Sequence, residues 1–267
     1  MKPDSEAPKR KTALITGASS GIGAELSRLL AADGIDLVLV ARDKERLLRL
    51  ADELRTQYGV AVIIVAKDLT RIESAEDLFN ELQSMGLSVD ILVNNAGFNV
   101  YGRFAETDLA DELALLQISA VTPTQLMKLF LPNMLKKGYG RILNIGSTGS
   151  FVPGPLNSVY CAAKAYLLSI SEAVCAELQG SGVTVTTVCP GATASEFASR
   201  AGMTDTRLFR TRALSSRAVA RSAYRALKKQ KRISVPGLTN RLGVSATRFV
   251  PRRLILKYAK FIMSRRS

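Results

Sequence analysis

Between Thr12 and Val188 the sequence repeats one theme: a short run rich in Val, Ile and Leu, a stretch of helical length, then another apolar run. The runs fall at Thr12–Thr16, Asp36–Ala41, Val60–Val65, Ile91–Val93, Arg141–Ile145 and Val183–Val188. Strands this apolar must be covered on both faces, which a parallel sheet flanked by helices achieves. The stretches between them carry apolar residues three and four apart, as in Leu26, Leu29, Leu30 and in Leu47, Leu50, Leu54. They therefore read as amphipathic helices. The pattern predicts an α/β fold, a doubly wound (Rossmann) parallel sheet with helices on both faces. With 267 residues, 47% hydrophobic and 22% charged, the chain has the length for a full core and ordinary globular composition. No repeat or linker divides it. A polar leader at residues 1–10 and one catalytic unit at 11–267 are expected.

The chemistry must lie in the punctuation between these elements. Directly after the first run comes Thr16-Gly17-Ala18-Ser19-Ser20-Gly21-Ile22-Gly23, and a helical stretch opens from Ala24. A strand, a glycine-rich turn and a helix in that order make a phosphate site. The glycines let the backbone approach the phosphates, and the helix N-terminus offers free N–H groups and a positive dipole end. Asp68-Leu69 follows the third run, and Asn94-Asn95-Ala96-Gly97 follows the fourth. Tyr160 and Lys164 lie four apart in a stretch, Val159 to Leu178, that reads as a helix, so both side chains share a face. Ser147 stands thirteen positions before the tyrosine, and Pro190-Gly191 with Ser195 follows the sixth run.

The sequence contains no histidine. That excludes a Ser-His-Asp triad, a Cys-His pair and histidine-ligated zinc. Its three cysteines, Cys161, Cys175 and Cys189, match neither a disulfide framework nor a metal spacing, so no metal is expected. Cys161 beside Tyr160 reads as a small packing residue. Proton transfer near neutral pH must then fall to a perturbed Tyr, Lys, Asp, Glu or Cys.

These motifs, in this order from about Lys11 to Phe197, resemble those of the short-chain dehydrogenase/reductase family. The resemblance implies that the TGxxxGxG turn, through Gly17, Ser19, Ser20, Gly21, Ile22 and Gly23, binds the pyrophosphate of a nicotinamide dinucleotide. It sets Asp68 and Leu69 against the adenine, and Asn95, Ala96 and Gly97 at the floor of the nucleotide crevice. Pro190, Gly191 and Ser195, the last a serine where the family has threonine, would meet the nicotinamide carboxamide. Ser147, Tyr160 and Lys164 match the family's Ser…Tyr-x-x-x-Lys signature. Tyr160 is then the general acid/base, Ser147 the donor to the substrate oxygen, and Lys164 the ammonium that holds the ribose and favours phenolate. One position departs from the pattern. Ser119 stands where relatives carry an asparagine that supports a water-mediated relay to the lysine, and its shorter hydroxyl can still hold a water.

The end of the second run bears on the cofactor. A site preferring NAD carries Asp or Glu there to accept from the ribose 2′-hydroxyl. This chain has Ala41 followed by Arg42, and a guanidinium binds a 2′-phosphate through charge-assisted hydrogen bonds, with the Ser19 hydroxyl a second donor. NADP(H) is the expected cofactor.

The formal net charge is +14, yet from Ser215 onward the chain has 15 Lys or Arg and no Asp or Glu. The resemblance sets a substrate lid at about residues 197–214, containing Phe197, Met203, Leu208 and Phe209. A basic helical tail spans about residues 247–267. In it Leu254, Ile255, Tyr258, Phe261 and Ile262 share one face, while Arg253, Lys257, Lys260 and Arg265 lie toward the other. Three occupants suit such a helix: its own fold or a second subunit, an anionic membrane surface, or an acidic carrier protein. No nucleic-acid motif accompanies the charge. With no signal-peptide pattern and no uninterrupted apolar run to span a bilayer, a cytoplasmic setting is expected, with the membrane surface as the one qualification. The expected activity is NADPH-dependent reduction of a ketone or 3-oxoacyl substrate by a homo-oligomer. A catalytically silent NADP-binding sensor or scaffold is the alternative.

Overall fold

The computed structural model describes residues 10–210 and 213–264, and for Arg210 the backbone alone. Most of the expected leader, and Arg265, lie outside the described residues. In chain order the first half runs β1 (Thr12–Thr16), α1 (Gly21–Ala32), β2 (Asp36–Ala41), α2 (Lys44–Tyr58), β3 (Val62–Ala66), α3 (Ser74–Ser84), β4 (Ile91–Asn94), α4 (Leu109–Leu116) and α5 (Thr122–Lys137). Next come β5 (Gly140–Ile145), α6 (Ser158–Glu177), β6 (Val183–Val188), β7 (Thr193–Ala194), α7 (Glu196–Arg200) and α8 (Arg207–Arg210). The chain continues with β8 (Leu214–Ser215), α9 (Ser216–Lys228), β9 (Ile233–Ser234), α10 (Leu238–Ala246) and α11 (Arg252–Met263). Seven strands form one sheet in the order β3-β2-β1-β4-β5-β6-β9, every neighbouring pair parallel. This is the doubly wound architecture expected from the alternation of apolar runs.

The period-two geometry of a strand sends successive side chains to opposite faces, and two separate cores follow. Ala13 and Ile15 of β1 and Leu37, Leu39 and Ala41 of β2 pack with Leu26, Leu30, Leu47, Leu54 and Ala223, beneath α1, α2 and α9. Their chain neighbours Leu14, Val38 and Val40 pack the other way, with Leu78, Leu82, Leu126, Phe130 and Met134 from α3 and α5. The order of strands leaves a switch point between β1 and β4, where the chain turns outward in opposite directions. In an open parallel sheet the crevice beyond the carboxyl ends of those strands is where a ligand fits.

Helix α6 is long and apolar enough, by length and composition, to cross a bilayer, with a mean hydropathy of 1.3. Here it packs alongside β6 with Cys161, Ala163, Leu167 and Leu168 buried, and it carries the buried Lys164. Helices α4 and α5 form one continuous run joined by a π-turn, Gln117–Val121. The cause is local: Pro123 has no N–H to donate to the carbonyl of Ser119, so the ladder slips and Thr122 N–H reaches back to Gln117.

Leu26 is fully buried under α1, so Leu26→Ala should cost about 2–5 kcal/mol, read as a lower urea midpoint with an unchanged slope. A loss below about 1 kcal/mol would mean that the core beneath α1 is looser than its packing implies.

Candidate active site

A cleft of about 560 Å³ opens over the carboxyl ends of β1 to β6. Its nucleotide end is built by the turn after β1. Gly17 has φ +66°, and a Cβ there would stand 2.9 Å from Ala96 Cα. A Cβ on Gly23 would meet the Gly17 carbonyl oxygen at 2.2 Å. Only glycines allow α1 to come this close to β1. The Asn95 amide donates to the carbonyls of Thr16 (2.9 Å) and Gly17 (3.2 Å), and the Thr16 hydroxyl accepts from the N–H of Asn95 and of Ala96. Ser20 stands at the N-cap of α1 without a side-chain capping bond, so the first N–H groups of that helix face the cleft with no cap from Ser20. Glycine contacts, uncapped N–H groups and a helix dipole together fit the pyrophosphate of a dinucleotide.

Arg42 and Lys67 reach the same end of the cleft from the ends of β2 and β3. Lys67 is shared with Glu81 at 3.5 Å. Asp68 uses one carboxylate oxygen to accept from the N–H and the hydroxyl of Thr70, at 3.0 and 2.9 Å, which fixes its rotamer. At the rim the Glu196 carboxylate takes two hydrogen bonds from Arg46, at 2.7 and 2.8 Å, and one from Arg200 at 2.5 Å. The Arg46 guanidinium holds Glu196 below the usual carboxylate range. This pair joins α2 to α7 across 150 residues of chain.

Ser147, Tyr160 and Lys164 meet in the middle of the cleft. Ser147 ends the loop after β5 in extended geometry and accepts from Gly149 N–H at 3.0 Å. Its side chain favours the Tyr160 phenolate, while burial raises the phenol above its ordinary value and is the larger influence. Lys164 is 5% exposed and donates to the Ile145 carbonyl at 2.8 Å. Burial pushes its ammonium down to about 8. Its Nζ lies 5.8 Å from the centre of the Tyr160 ring. Cys161 and Cys189 are buried thiols, pushed up to about 11 and about 12 by desolvation. Cys161 packs on Gly154, consistent with a packing role.

Two of the expected site residues do not line the cleft. Gly23 sits behind the turn, where its small size sets the helix–strand approach. Ser119 is buried in the π-turn, its hydroxyl without a hydrogen-bond partner among the described residues. A Cβ built on Gly97 would lie 3.7 Å from Ser119 Oγ and 3.9 Å from Lys164 Nζ, so the missing side chain leaves open a space that both groups border. Gly17, Ser19, Ser20, Gly21, Ile22, Arg42, Asp68, Leu69, Asn95, Ala96, Gly97, Pro190, Gly191 and Ser195 all line the cleft.

The other end is apolar and assembled from distant segments. Phe197, Met203, Leu208 and Phe209, expected over the substrate, all line it. The Phe197 ring lies 5.7 Å from that of Tyr160. Phe98, Asn99, Asn157 and Met263 line it too, and no motif marks them. Asn99 donates to Asn157 at 3.0 Å, and its own carbonyl oxygen has no hydrogen-bond partner among the described residues. Met263, the last residue of α11, accepts at its carbonyl from Tyr101 at 2.5 Å, and its sulfur accepts from Asn157. The C-terminal end of α11 is thus tied to its own fold. The run Phe261-Ile262-Met263 carries no hint of this, because the contact spans 162 residues.

The chain matches the family model described as short chain dehydrogenase over residues 11–205. It is 35% identical to the ketoacyl reductase HetN of Nostoc sp. over 199 residues, 74% of this chain and 67% of that protein. It is also 35% identical to a very-long-chain 3-oxoacyl-CoA reductase of Phaeosphaeria nodorum, covering 67% of this chain and about half, 53%, of that protein. A short-chain dehydrogenase from Sphingobium yanoikuyae in complex with NADPH superposes with TM-score 0.80 at 34% identity, covering 92% of this chain and 95% of that one. A bulky-bulky ketone specific alcohol dehydrogenase from Comamonas testosteroni superposes with TM-score 0.76 at 30% identity, over 90% and 93% of the two chains.

Lys164 carries a pH signature. Its ammonium is disfavoured in the folded, cofactor-free protein, with a value of about 8 against 10.5 for the free side chain. Between those values the unfolded chain binds more protons, so stability should rise with pH above about 8. Urea unfolding at pH 7 and pH 9.5 should show a gain of about 1–3 kcal/mol attributable to this group, absent in Lys164→Met. Equal pH dependence in both proteins would mean that the lysine is solvated.

Proposed function

The chain belongs to the short-chain dehydrogenase family, and on that premise we propose that it is an NADPH-dependent reductase of lipophilic ketones or 3-oxoacyl thioesters. The observation that carries the reading is the meeting of Ser147, Tyr160 and buried Lys164 between a phosphate-binding turn and an apolar wall. When bound, NADPH would supply the hydride. The chain's own residues do the rest. The Ser147 hydroxyl donates to the carbonyl oxygen and fixes its position, and Tyr160, beside Ser147 in the cleft, gives that oxygen a proton as charge develops on it. Lys164, still protonated at neutral pH, stabilises the phenolate left behind. Its hydrogen bond to the Ile145 carbonyl holds the ammonium in place. We place a bridging water between Lys164 Nζ and the unpartnered Ser119 hydroxyl, beside Gly97, so that the tyrosine is reprotonated from the buried side.

The preference for NADPH rests on Arg42 and on the absence of an acid at Ala41. The NADPH complex of the Sphingobium yanoikuyae relative is consistent with it. The apolar wall of Phe98, Phe197, Met203, Leu208 and Phe209 suits an acyl chain or a bulky ketone, in keeping with the similarity to a ketoacyl reductase, a very-long-chain 3-oxoacyl-CoA reductase and a bulky-bulky ketone specific alcohol dehydrogenase. Leu109, Leu113, Leu116 and Val121 are exposed along α4 and the π-turn, and we propose that they pair with a second copy.

NADPH oxidation against a panel of ketones and 3-oxoacyl thioesters tests the reductase reading. Tyr160→Phe should lose about 10²–10⁴ in rate at unchanged NADPH affinity. Arg42→Ala should raise the NADPH Kd about ten- to a hundredfold and leave that for NADH unmoved. Ser119→Asn should shift the pH profile of kcat. NADPH binding with no turnover on any carbonyl would favour a silent sensor. For the second copy, light scattering should give a dimer or larger species that Leu113→Glu breaks down. A monomer from the unaltered protein would remove that proposal.

A further inference from the structure

Helix α11 carries two apolar stripes, and the fold uses one. Ile255, Ala259 and Ile262, spaced four and three apart, are half-buried or buried against the fold. Leu254, Tyr258 and Phe261, with the same spacing, form the neighbouring stripe and are 54%, 65% and 56% exposed. The face expected to be uniform is therefore split, with one half left to solvent. Immediately before it, Phe249 at the end of the α10–α11 turn is 86% exposed. On the far side of the exposed stripe, away from the packed one, helical geometry places Arg253, Lys257 and Lys260. No carboxylate occurs anywhere from Ser215 to the end of the sequence.

We propose that the exposed stripe of α11, with Phe249, seats on the surface of an anionic bilayer. An acidic protein would satisfy the cations and leave four large apolar side chains unexplained. A second copy would satisfy the apolar stripe and set two basic helices, neither carrying a carboxylate, against each other. A bilayer interface satisfies both: Leu254, Tyr258, Phe261 and Phe249 enter the headgroup–acyl boundary while the lysines and arginines meet lipid phosphate and carboxylate groups. Arg207, which stacks 4.5 Å from the Phe261 ring, belongs to the same surface. The packed end of α11 contributes Met263 to the cleft. The helix is 12 residues long, so docking brings the apolar end of the cleft within about 18 Å of the bilayer. The inference stands apart from the reductase reading, since its test measures partitioning and not turnover.

Flotation of the full chain with phosphatidylcholine vesicles containing about 30 mol% phosphatidylserine should recover the protein at low salt. Raising salt to about 500 mM should weaken binding about tenfold or more, and vesicles of pure phosphatidylcholine should bind far less. Leu254→Glu/Tyr258→Glu and, separately, Arg253→Glu/Lys257→Glu should each weaken binding about tenfold with thermal melts unchanged. The second pair keeps the test decisive if the first misfolds. No flotation at low salt, or binding that neither pair weakens, would overturn the proposal. So would light scattering that shows the unaltered chain as an oligomer which these variants break apart without lipid, because the stripe would then be a subunit seam.

Discussion

The rest of the structure depends on how closely α1 approaches β1. The contact is backbone on backbone: any side chain at Gly23 would collide with the Gly17 carbonyl, and the Asn95 amide bridges the turn from the neighbouring strand. This closeness aims the helix N-terminus into the crevice between β1 and β4. It also brings the end of β4, with Ala96 and Gly97, under the turn. The turn at the nucleotide end of the cleft is thus main chain at its closest points, which has no rotamers to lose when a ligand binds.

The chemical centre works by the opposite means, through side chains held in unfavourable surroundings. Lys164 is buried and has one carbonyl acceptor, and Tyr160 is raised by the same desolvation that lowers the lysine. Each group is pushed toward neutrality, so charge arriving beside one of them has a large effect on the other. The π-turn joins this system because Pro123 breaks the ladder at Ser119, turning a buried hydroxyl toward Gly97 and the lysine.

Much of this was legible in the sequence where the determinant is local. β1, β2 and β6 have the bounds that their apolar runs imply, and β3 starts two residues late because Gly59 caps α2 with φ 63°. The turn after β1 was legible because glycine spacing is itself the mechanism. The resemblance carried Ser147, Tyr160 and Lys164, and the cleft gathers them. It did not reveal that Gly23 and Ser119 stand behind the cleft wall. The substrate end was only half legible. Phe197, Met203, Leu208 and Phe209 lie in one segment, whereas Asn99, Asn157 and Met263 converge from three, and pairing over such distances leaves no periodic trace. Nor could a helical wheel tell which of two adjacent apolar stripes on α11 the fold would cover.

The bridge between Arg46 and Glu196 has a consequence for how such a protein diversifies. It fastens the segment over the substrate to the nucleotide half from outside, on exposed side chains, while the substrate wall itself is drawn from loops and from the last helix. The contacts that hold the glycine turn come instead from Thr16, Asn95 and Ala96. Residues facing the substrate can therefore drift, lengthen or be exchanged as a cassette, and the machinery that handles the dinucleotide inherits none of the change.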